Sequence, residues 1–471
     1  MTVSPCAADF FVYNRELYQF LFAVQRKSIK NNSTQVASIA LEINLVDPLV
    51  VLDKLAQPHQ LNFYWENQGK KEAIAAIDAV AKLQIEGKER FTKSEAFIKY
   101  CLKNIINFGD TERYFSKPLF FCSFSFFDRN QQESYPFPAA TIFLPRWQIA
   151  VKDECCILVA NFVIHPEINI ERILQNLWRK IETIHSSTFY SPHQDFQEPK
   201  FSKKSVANPE KFKRSVLSAL ETIQSTHISK IVLADALDVR SNTTFNLFNS
   251  LHNLRQLHPN CYVFSTSNGK GQNFVGASPE RLISIHNQQL ITDALAGSAA
   301  RGETPAEDAN NADRLLNSEK ERHEHSLVID FITQRLSQLG LLPQILPPRL
   351  RQLSNIQHLW TPISAIVPDE VHPLKIVSQL HPTPAVAGTA PDAACAEIRR
   401  YESFERGLYA APLGWVDADG NCEFVVGIRS ALIDGDCARL YAGAGIVAGS
   451  DPEKELAEIQ LKLQALLKAL V

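Results

Sequence analysis

Two helical segments in the C-terminal half, residues 313–339 and 452–470, each carry glutamates along an apolar stripe. In the first, Glu321 and Glu324 are three apart and share a face, which continues through Val328, Phe331 and Ile332. In the second, the stripe Leu456, Ile459, Leu463, Leu467 and Leu470 is edged by Glu455, Glu458 and Lys462. A buried carboxylate needs a counter-charge, a proton or a metal. Taken alone, either pair reads most simply as a solvated face with i,i+3 or i,i+4 ion pairs. Taken together, the four acids constrain the fold more tightly. They can converge on one hard cation, and all-oxygen ligation with retained waters suits Mg²⁺. His323 and His325 do not form an HExxH pair, and residues i and i+2 do not face each other on a helix, so no zinc site is expected.

The 471 residues allow two or three units, or one large α+β body. A net charge of -3 argues against a nucleic-acid partner, which calls for a basic surplus. No apolar run approaches the roughly 20 residues that cross a bilayer, so no membrane partner is expected. The start, Met1 to Pro5, has neither a basic segment followed by an apolar one nor the Arg-rich character of a transit peptide. Nine cysteines without a CxxC pair read as reduced thiols, and the expected location is cytoplasmic.

Residues 120–127, 139–144 and 156–163 read as strands, and residues 73–83 have helical spacing. Residues 187–209 have no apolar period and read as a linker or surface loop. A helix over 212–225 then leads into a strand at 230–234, with further strands at 262–265, 281–285, 423–428 and 438–442. Strands and helices do not alternate strictly, which favours α+β over a doubly wound sheet.

Three small-residue corners accompany these strands. In Gly276-Ala277-Ser278-Pro279-Glu280, the proline stiffens the corner and aims the acid. Leu295-Ala296-Gly297-Ser298 and Tyr441-Ala442-Gly443-Ala444-Gly445-Ile446 offer further close-approach backbone, although each is also an ordinary turn. No phosphate-loop motif is present. Lys230 opens an apolar strand. It either snorkels at a sheet edge or, if buried near a cation, serves as a general base.

These blocks, in order, resemble the chorismate-utilising enzymes from about residue 211 to 470. They are Lys230-Ile-Val-Leu, Gly276 to Glu280, Asp293 to Ser298, Ser318 to His325, His381-Pro-Thr-Pro-Ala385, Arg406 to Trp415, Ile428-Arg-Ser-Ala431, Ala442 to Ile446, Gly449-Ser-Asp-Pro, and Glu455, Glu458 and Lys462. The resemblance implies a large α+β unit, a two-sheet β-sandwich surrounded by helices. Residues 1–205 would be a scaffold contributing to the sheet body and 206–471 a chorismate-binding catalytic unit. Ammonia-using relatives carry Gln at the Lys230 position and tend to have Thr at the Ala385 position. The nucleophilic Lys of another branch is replaced here by Ala296. The pattern therefore resembles the water-using branch, with isochorismate synthases first and salicylate synthases second. A non-catalytic chorismate-binding relative is the remaining alternative.

The resemblance implies Lys230 as base for a water attacking C2, and Glu280 as acid for the departing C4 hydroxyl. Mg²⁺ would sit on Glu324 and Glu458, with Glu321 and Glu455 steadying its waters. Arg429 and Lys462 would take a substrate carboxylate, helped by backbone at Gly445 and Ile446, while Gly297, Ser298, His381 and Ala385 would shape the site. Three departures stand out: Ser298-Ala-Ala-Arg-Gly302 for a TRPRG-like block, Ala234-Asp235 where Ser/Ala-Arg is common, and Glu321 where Asp is frequent. The consuming pathway would make a quinone, menaquinone or phylloquinone. The default assembly is a monomer.

Overall fold

The computed structural model describes residues 7–130, 135–186, 201–206, 208–352 and 356–470, with side chains from residue 14 onward. The N-terminal part runs α1 (Ala7–Asn31), β1 (Gln35–Ile43), α2 (Pro48–Leu55), β2 (Asn62–Asn67), β3 (Glu72–Ile85), α3 (Arg90–Lys103), β4 (Ile105–Phe108), β5 (Phe120–Phe124), β6 (Ala140–Lys152), β7 (Cys155–Ile164), α4 (Ile170–His185) and β8 (Phe201–Ser205). The C-terminal part continues with α5 (Pro209–Ser225), β9 (Lys230–Ser241), α6 (Leu247–Leu257), β10 (Tyr262–Ser267), β11 (Gln272–Ser278), β12 (Arg281–His286), β13 (Gln289–Ala300), α7 (Pro305–Asn317) and α8 (Glu319–Gln338). It closes with β14 (Gln344–Ile345), β15 (Arg349–Gln352), β16 (Ile356–Ile366), α9 (Pro373–Leu380), α10 (Pro391–Tyr401), β17 (Pro412–Val416), β18 (Cys422–Val426), β19 (Ser430–Asp434), β20 (Cys437–Val447) and α11 (Pro452–Leu470).

The long pair β3–β6 is the spine of the body. Its register breaks between Ala79 and Ala81, beside Asp78 at φ +61°, and a bulge of this kind bends a ladder. On one side of the break the ladder continues β3–β2–β10–β11–β19–β20–β9–β8, and through β6–β7–β1–β4. On the other side it continues β6–β5–β17–β18–β12–β13–β16, with β14 and β15 on the far edge of β16. The result is the expected two-sheet α+β body. One continuous apolar core draws on both halves of the chain, with α8 packed on β13 and α11 on β20.

Two neighbouring segments cross between the branches. β11 pairs with β19 in one, and after Pro279-Glu280 the chain enters β12 in the other. Residues 427–429 join β18 to β19 in the opposite direction. Val426 N donates to Glu280 O (3.1 Å) and Ala277 N to Arg429 O (3.1 Å), so the crossings are tied together. A Cβ on Gly276 would lie 2.6 Å from the Phe264 ring and 2.9 Å from Arg429 O, which explains the small residue there.

Several sequence expectations are corrected. Residues 73–83 lie in β3, not in a helix: pairing on both edges, to β2 and β6, outweighs the alanine content. The segment 313–339 is two helices, because Ser318 caps α8 by accepting from Glu321 N. Within 187–209, residues 187–200 and 207 lie outside the described residues; Phe201–Ser205 is a strand on β9, and Pro209 opens α5. The division at 205/206 is not among these corrections: strands β2, β8 and β5 pair with β10, β9 and β17, so residues 1–205 contribute strands to the sheet body that residues 206–471 also build. Among the described residues, no helix is long and apolar enough to cross a membrane.

Candidate active site

Lys230 is placed by backbone on both sides. Its strand β9 pairs with β20, and on the other edge Val232 N donates to Ala387 O (2.8 Å) and Thr389 N to Lys230 O (3.0 Å). Gly388, at φ +131°, lies where a Cβ would come within 2.1 Å of Lys230 O, so only glycine permits this approach. Arg406, fully buried, braces the same loop by donating to Val386 O and Val232 O (both 2.8 Å) while paired with Glu402. Lys230 is 1% exposed, and its Nζ donates to Glu324 Oε1 at 2.6 Å.

A cavity of about 190 Å³ opens between the sheet crossing and the helices α8 and α11. Lys230 and Glu280 line it together with Glu321, Glu324, Glu455 and Glu458. Gly297, Ser298, Ala385, Arg429, Gly445 and Lys462 also line it. A larger, more open hollow of about 710 Å³ lies elsewhere, bordered by α2 and β3. It gathers carboxylates and apolar groups, but none of the acid–base pair.

Two expected residues stand off this wall. His381 is half-buried against Phe91 and Phe126 and donates from Nε2 to Phe126 O (3.0 Å); desolvation lowers its proton affinity to about 3. It shapes the fold beneath the site instead of meeting a ligand. The Ile446 side chain is fully buried in the ladder opposite Ile231, and Gly443 and Gly445 form the wall instead. The sequence reading gave no role to four polar lining residues: Lys320, His358, Tyr409 and Tyr441. Lys320, Tyr409 and Tyr441 lay inside blocks already singled out. His358 gave no local signal, since its place comes from pairing with Ser298 across β13–β16.

The electrostatics are those of an acid-rich pocket. Burial raises the proton affinity of Glu321, with Glu324 and Glu458 adding to it, although Ser298 N donates to Glu321 Oε2 (3.0 Å) and opposes the rise. Burial and the charges of Glu458 and Glu324 likewise raise Glu455. Burial also disfavours the Glu324 charge, but Lys230 more than offsets this and holds it below its ordinary range. Lys462 donates to Glu458 Oε1 (2.6 Å) and to Gly443 O (2.9 Å). Burial, with Arg429 and Lys462 nearby, pushes His358 down to about 3, so it is a neutral ring bonded to Ser298 Oγ (2.8 Å). Burial lifts Glu280 to about 7, Lys230 opposing and Asp293 adding to the rise.

Among the described residues, no three acidic, histidine or cysteine side chains form a ready-made metal cage. The donor set nevertheless fits Mg²⁺, which is usually held by one or two carboxylates plus waters and ligand oxygens. Four mutually repelling carboxylates share one wall, and two of them now rest on lysines.

A buried lysine and a carboxyl whose proton affinity burial raises share one pocket beside further cations and an acidic wall, the arrangement of an acid–base enzyme site. The chain belongs to the family of chorismate binding enzymes, whose model matches residues 22–471. The isochorismate synthase MenF of Bacillus subtilis is 31% identical over 458 residues, 94% of this chain and 95% of that protein. The salicylate biosynthesis isochorismate synthase of Pseudomonas aeruginosa is 40% identical over 256 residues, 54% of this chain; the match spans about half (53%) of that protein's length. Among solved structures, the menaquinone-specific isochorismate synthase MenF of Escherichia coli superposes with a TM-score of 0.77 at 25% identity, covering 96% of this chain and 100% of that one. Anthranilate synthase component I of Streptococcus pneumoniae shares the fold, with a TM-score of 0.67 at 20% identity, covering 84% of this chain and 92% of that one.

Proposed function

We propose that the protein is an isochorismate synthase, converting chorismate to isochorismate in a Mg²⁺-dependent reaction. The observation that carries this reading is the placement of Lys230 and Glu280 on one cavity whose wall holds four helix-borne carboxylates. Full-length likeness to MenF enzymes supports the reaction and, with it, a quinone pathway as consumer of the product. A cytoplasmic location belongs to the same proposal.

Glu324 and Glu458 would hold the metal, with Glu321 and Glu455 bonding its waters. When bound, Mg²⁺ supplies orientation of a substrate carboxylate and neutralisation of its charge. Arg429, Lys462 and backbone at Gly443 and Gly445 bind the other carboxylate; the planar guanidinium suits a bidentate contact. Lys230 accepts a proton from the water whose oxygen bonds to C2. The ring double bonds shift, the C4–O bond breaks, and Glu280 gives its proton to the departing hydroxyl, which leaves as water. One water is consumed and one released, so the product is an isomer of the substrate. The neutral His358 and Ser298 offer hydrogen bonds without adding charge.

Incubating the protein with chorismate and Mg²⁺ and separating the products tests this. Isochorismate alone is expected. Salicylate with pyruvate would move the chain to the salicylate-forming branch, and unchanged chorismate would make it a binder without catalysis.

A further inference from the structure

The base stands where β9 begins, and a side chain holds that start. Backbone N–H groups alternate in direction along a strand. Val232 N donates to Ala387 O (2.8 Å) and Lys230 O accepts from Thr389 N (3.0 Å), so Lys230 and Val232 bond toward the loop 386–389. Ile231, between them, is left to bond β20, where it lies opposite Ile446. A regular strand continued backward would turn Ser229 N toward β20 as well. It turns to the loop: Ser229 N (2.8 Å) and Lys230 N (3.1 Å) both donate to Thr389 Oγ1, and Ser229 Oγ lies 3.1 Å from the same atom. Two successive N–H groups gathered on one acceptor bend the chain. The bend falls just before Lys230, so the hydroxyl sets the direction in which the strand departs.

We propose that Thr389 is a positioning residue for the base: its hydroxyl, by gathering the N–H groups of Ser229 and Lys230, fixes the backbone from which the Lys230 amine is aimed into the cavity. Beyond the backbone, the path of the side chain is confined by contact. The stem passes Gly445, where a Cβ would stand 2.9 Å from Lys230 Cε, and Nζ ends 2.6 Å from Glu324 Oε1. A displacement at the main chain is therefore carried to the amine with little slack. Thr389 itself stands off the cavity, whereas Ala385 and Val386 of the same loop line it. One loop thus sets both a wall of the site and the anchor of the base. Ala390, at φ +51°, then turns the chain into α10.

Thr389 has this role only if Lys230 is the base, so turnover of chorismate by Lys230→Ala is measured first. Normal turnover there overturns the assignment of the base, whatever Thr389 does. Given a loss, kcat and KM are compared in Thr389→Val, which keeps the branched shape without the acceptor, and in Thr389→Ser, which keeps the hydroxyl. Thr389→Val is expected to lose about tenfold to a hundredfold in kcat with little change in KM, because a small misplacement of a reacting group costs about that much. Thr389→Ser is expected to recover most of the wild-type kcat. Added to Lys230→Ala, Thr389→Val is expected to take nothing further from the residual rate, since both act through one group. An unchanged kcat in Thr389→Val, an equal loss in Thr389→Ser, or a further loss in the double variant would overturn the proposal while leaving Lys230 as the base. Should Thr389→Val fail to fold, Thr389→Cys takes its place: its sulfur is a weaker acceptor, and an unchanged kcat there is the contradicting result.

Discussion

Glu280 and Lys230 reach the same cavity from opposite kinds of backbone. Lys230 opens a central strand clamped on both edges, whereas Glu280 sits at the corner where the chain passes between sheets. General acids and bases contribute about 10²–10⁴-fold. Replacing Lys230 by Ala or Glu280 by Gln is therefore expected to lower kcat by about that much while the Kd for chorismate, read by fluorescence quenching, changes little. Because burial raises Glu280 to about 7, the acid form is present below that pH, and activity is expected to fall as pH rises through it. The same shift bears on stability. Its folded-state affinity lies above the ordinary 4.5, so the contribution is full below about 4.5 and is lost as pH rises through about 7; urea midpoints measured across that window should fall less in Glu280→Gln. The sequence singled both residues out by the blocks they stand in, and the resemblance of those blocks to a family joined them in one expected site; the structure puts both on one cavity wall. His358 was not singled out, since one strand pairing alone brings it to Ser298. His381 looked like a ligand residue in its block, but its ring turns into the Phe91–Phe126 packing.

At the level of elements, helices α8 and α11 carry the acidic wall and strand β20 sets how close it comes. A Cβ on Gly445 would stand 2.9 Å from Lys230 Cε and 3.5 Å from Glu324 Oε1. Gly445→Ala should push the amine from its place and reduce kcat by about tenfold to a hundredfold, with an unchanged far-UV CD spectrum. Glu324→Gln and Glu458→Gln should each weaken Mg²⁺ binding measured by calorimetry by about tenfold or more. Chelation should stop turnover, and added Mg²⁺ should restore it. The glutamates on an apolar stripe were readable because helical spacing alone puts Glu321 and Glu324 with Val328 and Ile332, and the latter two are indeed buried. The break between α7 and α8 was also written in the chain, as the capping pattern Ser318-x-x-Glu321, yet the continuous periodicity masked it. The strand over residues 72–85 was illegible for a physical reason. Its alanines and isoleucines suit a helix locally, and only two neighbouring strands, distant in sequence, make it a sheet.

The whole molecule is a two-sheet body built from both halves of the chain, and the site lies where segments cross between the sheets. No ladder boundary separates residues 1–205 from 206–471, since β2–β10, β5–β17 and β8–β9 all span it. A fragment of residues 206–471 is therefore expected to lack a cooperative thermal transition by calorimetry, whereas the full chain should show one. The central claim is that water, deprotonated on the Lys230 side, adds to chorismate while Glu280 releases the C4 hydroxyl. A single turnover in H₂¹⁸O, with the product resolved by mass spectrometry, tests it most directly. The account predicts isochorismate carrying one ¹⁸O at C2; unlabelled isochorismate, or salicylate with pyruvate, would contradict it.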